Sequence, residues 1–443
     1  MTITPTAVAV GEAELVAELR AQVSVAMAAY AGAGPLPAAR RRELAEQHTA
    51  EALDAHARQA LDAGRPPLSA QAEARVARAV VDHIIGAGGL QQLLDNPAIE
   101  NINANGCDQV FIRYTDGSYE AGPPIADSDE AMINMIRTLA SEAAFADNEL
   151  GHGEERSFDR NNPQLDLRLK DGARLCAVMS VSRRPGLSIR RPTLINADLD
   201  DLVGRGMLDE PLCRVLQAAM RAKLNAIFAG GTNTGKTTFA RAAARAIPPH
   251  ERLITIEDAY ELELHDAVAH PNVQAFQARR ANLEGVGAVS MAALVRTALR
   301  MDPDRVIVGE TRGDEVIDLL KAMSQGNDGS FATVHASSSQ QAFSRLMMYA
   351  VQAPERLSFE ASAMLIAESI DLVVHLNWTP DKQRVVSSVR EVTGFDGRDV
   401  ISNEAWRPGA DKRAVPNTPL RTETLDRLEA AGLAPYLIDR VGW

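Results

Sequence analysis

Apolar positions along the chain change their spacing three times, and each change marks a new kind of structure. From about Gly11 to Gly64, Leu, Val and Ala recur at helical spacing among Glu and Arg, which predicts two helices broken near Gly32–Pro37. A third helix is predicted from Ala70 to Ile85, stopped by Gly86. From Ile99 the pattern shortens into β-rich runs: Ile99–Asn103, Val110–Tyr114, Leu165–Leu169, Arg174–Ser180 and Leu187–Arg190. Asn105-Gly106, Asp116-Gly117 and Asp171-Gly172 punctuate them as turns. One helix, Ser128 to Ala144, lies between, with Ser128 as its cap and Asp129 and Glu130 in the first turn. Pro192–Met207 reads as a hinge. After Asp209, nearly continuous apolar runs (Leu224–Ala229, Leu253–Ile256, Val306–Val308, Phe331–Val334) alternate with helical segments, as parallel strands covered on both faces require. The last forty or so residues, with Pro408, Pro416 and Pro419, read as a loosely ordered extension ending in a short helix.

The expected fold is therefore α/β, with a P-loop domain, a smaller N-terminal α+β domain and a helical N-terminal extension. The boundaries drawn are 1–68 for the extension, 69–191 for the α+β domain, 192–208 for a linker, 209–400 for the P-loop domain and 401–443 for the C-terminal extension.

Composition changes this picture little. The chain has 443 residues, 46% hydrophobic and 24% charged, enough for two or three domains. Its net charge of -13 supplies no global positive field for nucleic acid or an anionic membrane. The three cysteines, Cys107, Cys176 and Cys213, are far apart and in no metal-ligand spacing, which speaks against disulfides and zinc and for a reducing compartment. The first residues lack the pattern of a signal peptide, and no run reaches the roughly 18 apolar residues of a spanning helix. Membrane work would need a partner already there.

Chemistry enters at Gly230-Gly231-Thr232-Asn233-Thr234-Gly235-Lys236-Thr237, followed by Thr238. The run fits the P-loop pattern in full. Glycines allow a tight turn that exposes backbone N–H groups to phosphates, and the following helix aims its positive end at them. Lys236 would reach the β- and γ-phosphates of ATP, and the Thr237 hydroxyl would ligate Mg2+. The bland rival is a Gly-rich turn with an incidental lysine.

A second strand ends in Gly309-Glu310, where Glu310 would orient or activate water. A third, Ile254-Thr255-Ile256, ends in Glu257-Asp258, acids that could replace the charge missing at Gly309; Glu257 is also a candidate metal ligand. The alternative for Asp258 is a helix cap. A fourth strand delivers His335, for sensing the γ-phosphate or for subunit contacts, although a lone His is more often structural. Arg174, Arg190, Arg191, Arg279 and Arg280 suit phosphate charge, although each alone reads first as a solvated surface charge.

Together the four clusters resemble the secretion ATPases of the type II/type IV superfamily, and most closely the CpaF-type branch of tight-adherence (Flp) pilus assembly. Gly230–Thr238 is similar to its Walker A, Thr255–Asp258 to its Asp box, Arg305–Arg312 to its Walker B, and Gly329–Ala336 to its His box. Gly89–Gly106, Pro163–Leu175, Leu187–Arg191 and Val385–Gly397 extend the likeness. Asn327 departs from it, standing where the family more often has His. The resemblance implies a RecA-like domain hinged to the N-terminal domain, a homohexameric ring, and ATP between the domains. It implies Arg174 and Arg190 closing onto the phosphates, with Arg279 serving near the Asp box. It also implies a cytoplasmic motor acting on an inner-membrane platform protein; the acidic net charge argues against direct nucleic-acid contact. Rival readings are a conjugative DNA-transfer motor, a nucleotide-dependent scaffold that does not turn over, and a small-molecule P-loop kinase.

Overall fold

The computed structural model describes residues 10–28, 38–85, 89–149, 157–169, 172–191, 194–265, 268–279, 281 and 286–437. They form two compact units, Met1–Thr193 and Leu194–Trp443.

The first unit opens with helices α1 (Val10–Ala28), α2 (Ala38–Asp62) and α3 (Ala70–Ile85). They bury one shared stripe, including Leu15, Leu19, Val23, Leu53, Val76 and Val80. The boundary expected at residue 69 therefore cuts a bundle: α3 gives its apolar face to α1 and α2. The breaks expected at Gly32–Pro37 and Gly86, and the Asp171 half of one expected turn, lie outside the described residues. Then follow α4 (Gly89–Leu94), β1 (Ile99–Asn105), β2 (Val110–Tyr114), β3 (Tyr119–Gly122), α5 (Asp129–Glu149), β4 (Gln164–Arg168), β5 (Arg174–Val178) and β6 (Gly186–Arg190). Ser128 caps α5 as expected, its Oγ accepting from Ala131 N at 3.1 Å. The strands form one antiparallel sheet in the order β3-β2-β1-β6-β5-β4. Alternation decides its faces: Leu165, Leu167, Leu175 and Ile189 are buried, while Asp166, Arg168, Ser188 and Arg190 point to solvent.

The second unit contains α6 (Leu199–Gly204), α7 (Glu210–Arg221), β7 (Ala226–Gly230), α8 (Lys236–Ala244), β8 (Leu253–Glu257), β9 (Val273–Gln277), α9 (Met291–Ala298), β10 (Arg305–Thr311), α10 (Glu315–Ser324) and β11 (Phe331–His335). It continues with α11 (Ser339–Gln352), α12 (Phe359–Ser369), β12 (Leu372–Trp378), β13 (Arg384–Phe395), β14 (Val400–Pro408), β15 (Ala414–Pro416) and α13 (Thr422–Ala430). Nine strands run in the order β15-β14-β13-β12-β7-β11-β10-β8-β9. Those from β12 to β9 are mutually parallel, and β13, β14 and β15 extend the sheet antiparallel. Successive residues of β7 feed opposite cores, Phe228 one and Ile227 and Ala229 the other, which is why its sequence is apolar without alternation. The expected fold class is the one observed: a RecA-like P-loop domain, and a smaller α+β domain with a helical extension.

Two stretches are more ordered than the sequence suggests. The predicted linker, as far as residues 194–208 are described, folds onto the second unit: Leu199, Leu202, Met207 and Leu208 are buried in its core. Asp198 and Asp201 form a reciprocal capping box at the start of α6, and Asp209 caps α7. The C-terminal stretch continues the sheet through β14 and β15, and α13 is pinned by the buried Glu391. That carboxylate accepts from Arg421 N at 3.1 Å and from the Thr424 hydroxyl at 2.5 Å. Proline spacing masks this order, because these strands lie at one edge, where a missing N–H is tolerated.

Candidate functional site

Strand β7 lies between β11 and β12 and delivers the phosphate loop at its carboxyl end. Gly230 cannot be replaced without a clash: a Cβ there would meet Thr234 Oγ1 at 2.5 Å and the Leu376 carbonyl at 2.8 Å. Asn233 (φ +62°) and Gly235 (φ +91°) adopt left-handed conformations that reverse the chain into α8. The Thr234 hydroxyl donates to Gly231 O at 2.9 Å and is buried, whereas Gly231 and Thr232 are exposed. Thr237 and Thr238 occupy the first turn of α8, at its positive end.

The Lys236 ammonium donates to Gly230 O (3.2 Å), Gly231 O (2.9 Å) and His335 Nδ1 (3.2 Å). An ammonium only donates, so Nδ1 of His335 carries no proton and the neutral imidazole holds it on Nε2. Burial first, and Lys236 second, hold the imidazole below its ordinary pKa, against the opposing charge of Glu310. Register sets this meeting, since His335 of β11 pairs with Gly230 of β7.

Glu310 arrives from the next strand. The β10–β11 ladder shifts register between Val308 and Thr311, a bulge that takes Gly309 and Glu310 out of regular pairing and re-aims the carboxylate. One Glu310 oxygen accepts from Arg312. The other, buried, lies 2.7 Å from His335 Nε2. The Thr333 hydroxyl holds the bulge through Gly309 O at 2.7 Å, and Glu315 accepts from Arg312 N and Gly313 N beyond it.

Glu257 explains Gly309. A Cβ on Gly309 would lie 2.9 Å from Glu257 Cγ, so the side chain from β8 fills the space an aspartate would need. Glu257 is buried, and its Oε1 accepts from Glu261 N and Leu262 N, both at 2.8 Å. It thereby folds back a loop whose Glu261 carboxylate lies 3.2 Å from the Thr237 hydroxyl. Glu261, unremarked in the sequence, is the acid that reaches Thr237. Asp258 is exposed, 3.9 Å from Arg312, and no helix follows it, which removes the capping alternative.

The arginines divide. Arg174 and Arg190 stand directly opposite each other on β5 and β6 of the first unit. Arg279 donates to Gly287 O at 2.6 Å within its own loop, and among the described residues no contact joins it to the phosphate loop. Arg280 lies outside the described residues. Sequence reasoning also passed over Arg312 and Arg384; the latter donates to Asn233 O at 2.9 Å across 151 positions of chain.

Residues 85–404 match the family described as Type II/IV secretion system protein. The Mycobacterium tuberculosis protein Rv3659c, whose name assigns it provisionally to conjugal transfer, is 32% identical over 329 residues, 72% of this chain and 88% of its own. The conjugal transfer protein TrbB of Rhizobium radiobacter is 31% identical over 310 residues, 69% of this chain and 86% of its own. Among solved structures, the VirB11 ATPase of the Brucella suis type IV secretion system aligns with 25% identity and a TM-score of 0.36, covering 68% of this chain and 94% of that one. With 320 matched positions of 443, this chain belongs to the type II/IV secretion system protein family.

Proposed function

We propose that this chain is an ATP-hydrolysing motor of a type II/IV secretion machine. The observation that carries the reading is the meeting of Lys236, His335 and Glu310 at the carboxyl ends of three neighbouring parallel strands, β7, β11 and β10. Backbone N–H groups from Gly231 to Thr238 would cradle the phosphates, with Lys236 countering their charge. Glu310 would orient the attacking water, and His335, which touches both Lys236 and Glu310, would report the γ-phosphate to the lysine.

The residues present suit Mg2+. Thr237 and Glu261 offer hard oxygen donors 3.2 Å apart. Among the described residues no cluster of three or more His, Cys, Asp or Glu forms a cage. A cation held mainly by phosphate oxygens and water needs no such cage, and when bound it supplies charge neutralisation at the phosphates. Glu257 contributes by holding the Glu261 loop. Arg174 and Arg190 are assigned, from the family resemblance, to transition-state charge. Arg279 has the weakest claim, because its guanidinium already serves its own loop.

On the finer scale we place the chain in pilus assembly, as a cytoplasmic hexamer acting through an inner-membrane platform protein, on the motifs that resemble the tight-adherence branch. No helix among the described residues is long and apolar enough to cross a membrane, which suits such docking. A motor for DNA transfer is the second reading, favoured by the names of the two relatives. The net charge of -13 suits either role without direct nucleic-acid contact.

The test is steady-state ATP hydrolysis with Mg2+ across protein concentrations, beside Glu310→Gln. Turnover should rise as rings assemble, and the variant should lose about 100-fold or more while still binding nucleotide. Wild-type turnover in the variant removes Glu310 from its role. Bound nucleotide without hydrolysis at any concentration favours a switch.

A further inference from the structure

The phosphate loop is held from outside by a pair of side chains that no motif identifies. Trp378 and Arg384 face each other across the β12–β13 hairpin. The Arg384 guanidinium carbon sits 4.9 Å from the centre of the Trp378 ring, a stacking distance for a planar cation. From that platform Arg384 Nε donates to the Asn233 carbonyl at 2.9 Å. Its stem runs along the loop: a Cβ on Gly235 would lie 3.4 Å from Arg384 Cδ.

The bonded carbonyl is a sensitive one. Asn233 has φ +62° and Gly235 φ +91°, so Thr234 is flanked by two left-handed residues. For Asn233 that conformation costs free energy that something else must offset. In a trans peptide the carbonyl of one residue and the N–H of the next point in opposite directions. Holding the Asn233 carbonyl against Arg384 therefore turns the Thr234 N–H the other way, toward the side where a loop of this pattern cradles phosphate.

We infer that Arg384, mounted on Trp378, is a positioning residue that sets the phosphate loop in its binding conformation. The inference rests on the nucleotide-binding reading above. It predicts weaker binding of any nucleotide with a β-phosphate, with little change in the chemical step, because the loop acts before hydrolysis begins.

The test is ADP and ATP affinity, KM, kcat and nucleotide-free melting temperature for the full chain and for Arg384→Ala, Arg384→Lys and Trp378→Ala. Arg384→Ala should weaken ADP and ATP alike by about tenfold, a modest loss for a hydrogen bond from a charged donor. KM should rise by a similar factor, kcat should stay within about twofold, and the nucleotide-free melting temperature should hold. Arg384→Lys, which keeps a cation but cannot stack flat, should recover part of the loss. Trp378→Ala should weaken binding in the same direction. Arg384→Ala with wild-type affinity, or with a kcat loss and unchanged KM, overturns the inference. If Arg384→Ala does not fold, Arg384→Lys decides: affinity equal to wild type overturns it. A wild-type chain that binds no nucleotide refutes the underlying functional reading instead, so the two failures are distinguishable.

Discussion

Lys236 divides its ammonium among Gly230 O, Gly231 O and His335 Nδ1. The last of these is lost when the imidazole takes a second proton, since both ring nitrogens then donate and the ammonium faces a like charge. His335 has its pKa lowered, first by burial and then by Lys236; His375 is lowered first by its own burial. For a histidine depressed in this way, the unfolded chain binds the proton first as pH falls. The associated stability is present above about pH 6.5 and is lost as pH drops through the folded value. The melting temperature should therefore fall between pH 7.5 and 5.5, and fall less in His335→Asn. Parallel pH profiles for the two proteins would show that His335 is not one of the groups responsible. Residues of this kind were legible because each lies inside a short motif. Glu261 and Arg384 were not, because their places depend on a loop folding back onto Glu257 and on a hairpin register; Arg312 closes the Walker B-like run, but its reach to Glu310 depends on a bulge. None of the three leaves a periodicity.

At the scale of elements, the site depends on strands being fixed at their far ends. Arg305 opens β10, is fully buried, and pairs with the buried Glu251 through Nε (2.7 Å) and Nη2 (2.9 Å), while Nη1 donates to Gly329 O ahead of β11. One guanidinium thus ties together the segments entering β8, β10 and β11. The bidentate pair holds Glu251 below the usual carboxylate range against its own desolvation. Arg305→Ala leaves the buried carboxylate to the half-exposed Lys223, 3.5 Å away, and should cost about 3 kcal/mol in denaturant unfolding. Replacing both partners with apolar residues of similar volume should recover much of that loss, and a double variant as unstable as the single one would argue against an ion-pair cause. The same scale shows why the parallel strands were readable and other elements were not. Strands covered on both faces must be largely apolar, as in β7, and in β8 apart from the buried Thr255 and the terminal Glu257. By contrast, β3 is four residues and largely exposed, and α6 is six residues in an Asp-rich stretch, too short to show a helical period.

For the whole second unit, the C-terminal segment is part of the core. Leu420, Leu428, Leu433 and Leu437 are buried in the cluster that also contains Phe228 and Phe239 behind the phosphate loop. Each is worth about 1.5–3 kcal/mol of burial, and together they are comparable with the ~5–15 kcal/mol of a typical domain. A chain ending at Pro416 also leaves the buried Glu391 without Arg421 and Thr424. Such a chain should lose cooperative thermal unfolding of this unit, and a melting curve matching the full chain would show that the segment is dispensable. The bulge at Gly309–Glu310 stands in contrast. It takes the carboxylate out of the hydrogen-bonded ladder, so chemistry can fail there while the sheet persists. This gives the two kinds of lesion different inheritance. A chain altered at Arg305 is removed by unfolding and leaves an intact copy to work alone. On the oligomeric motor proposed above, a chain altered at Glu310 survives, and it would compete for the same partners and interfere with its intact sibling.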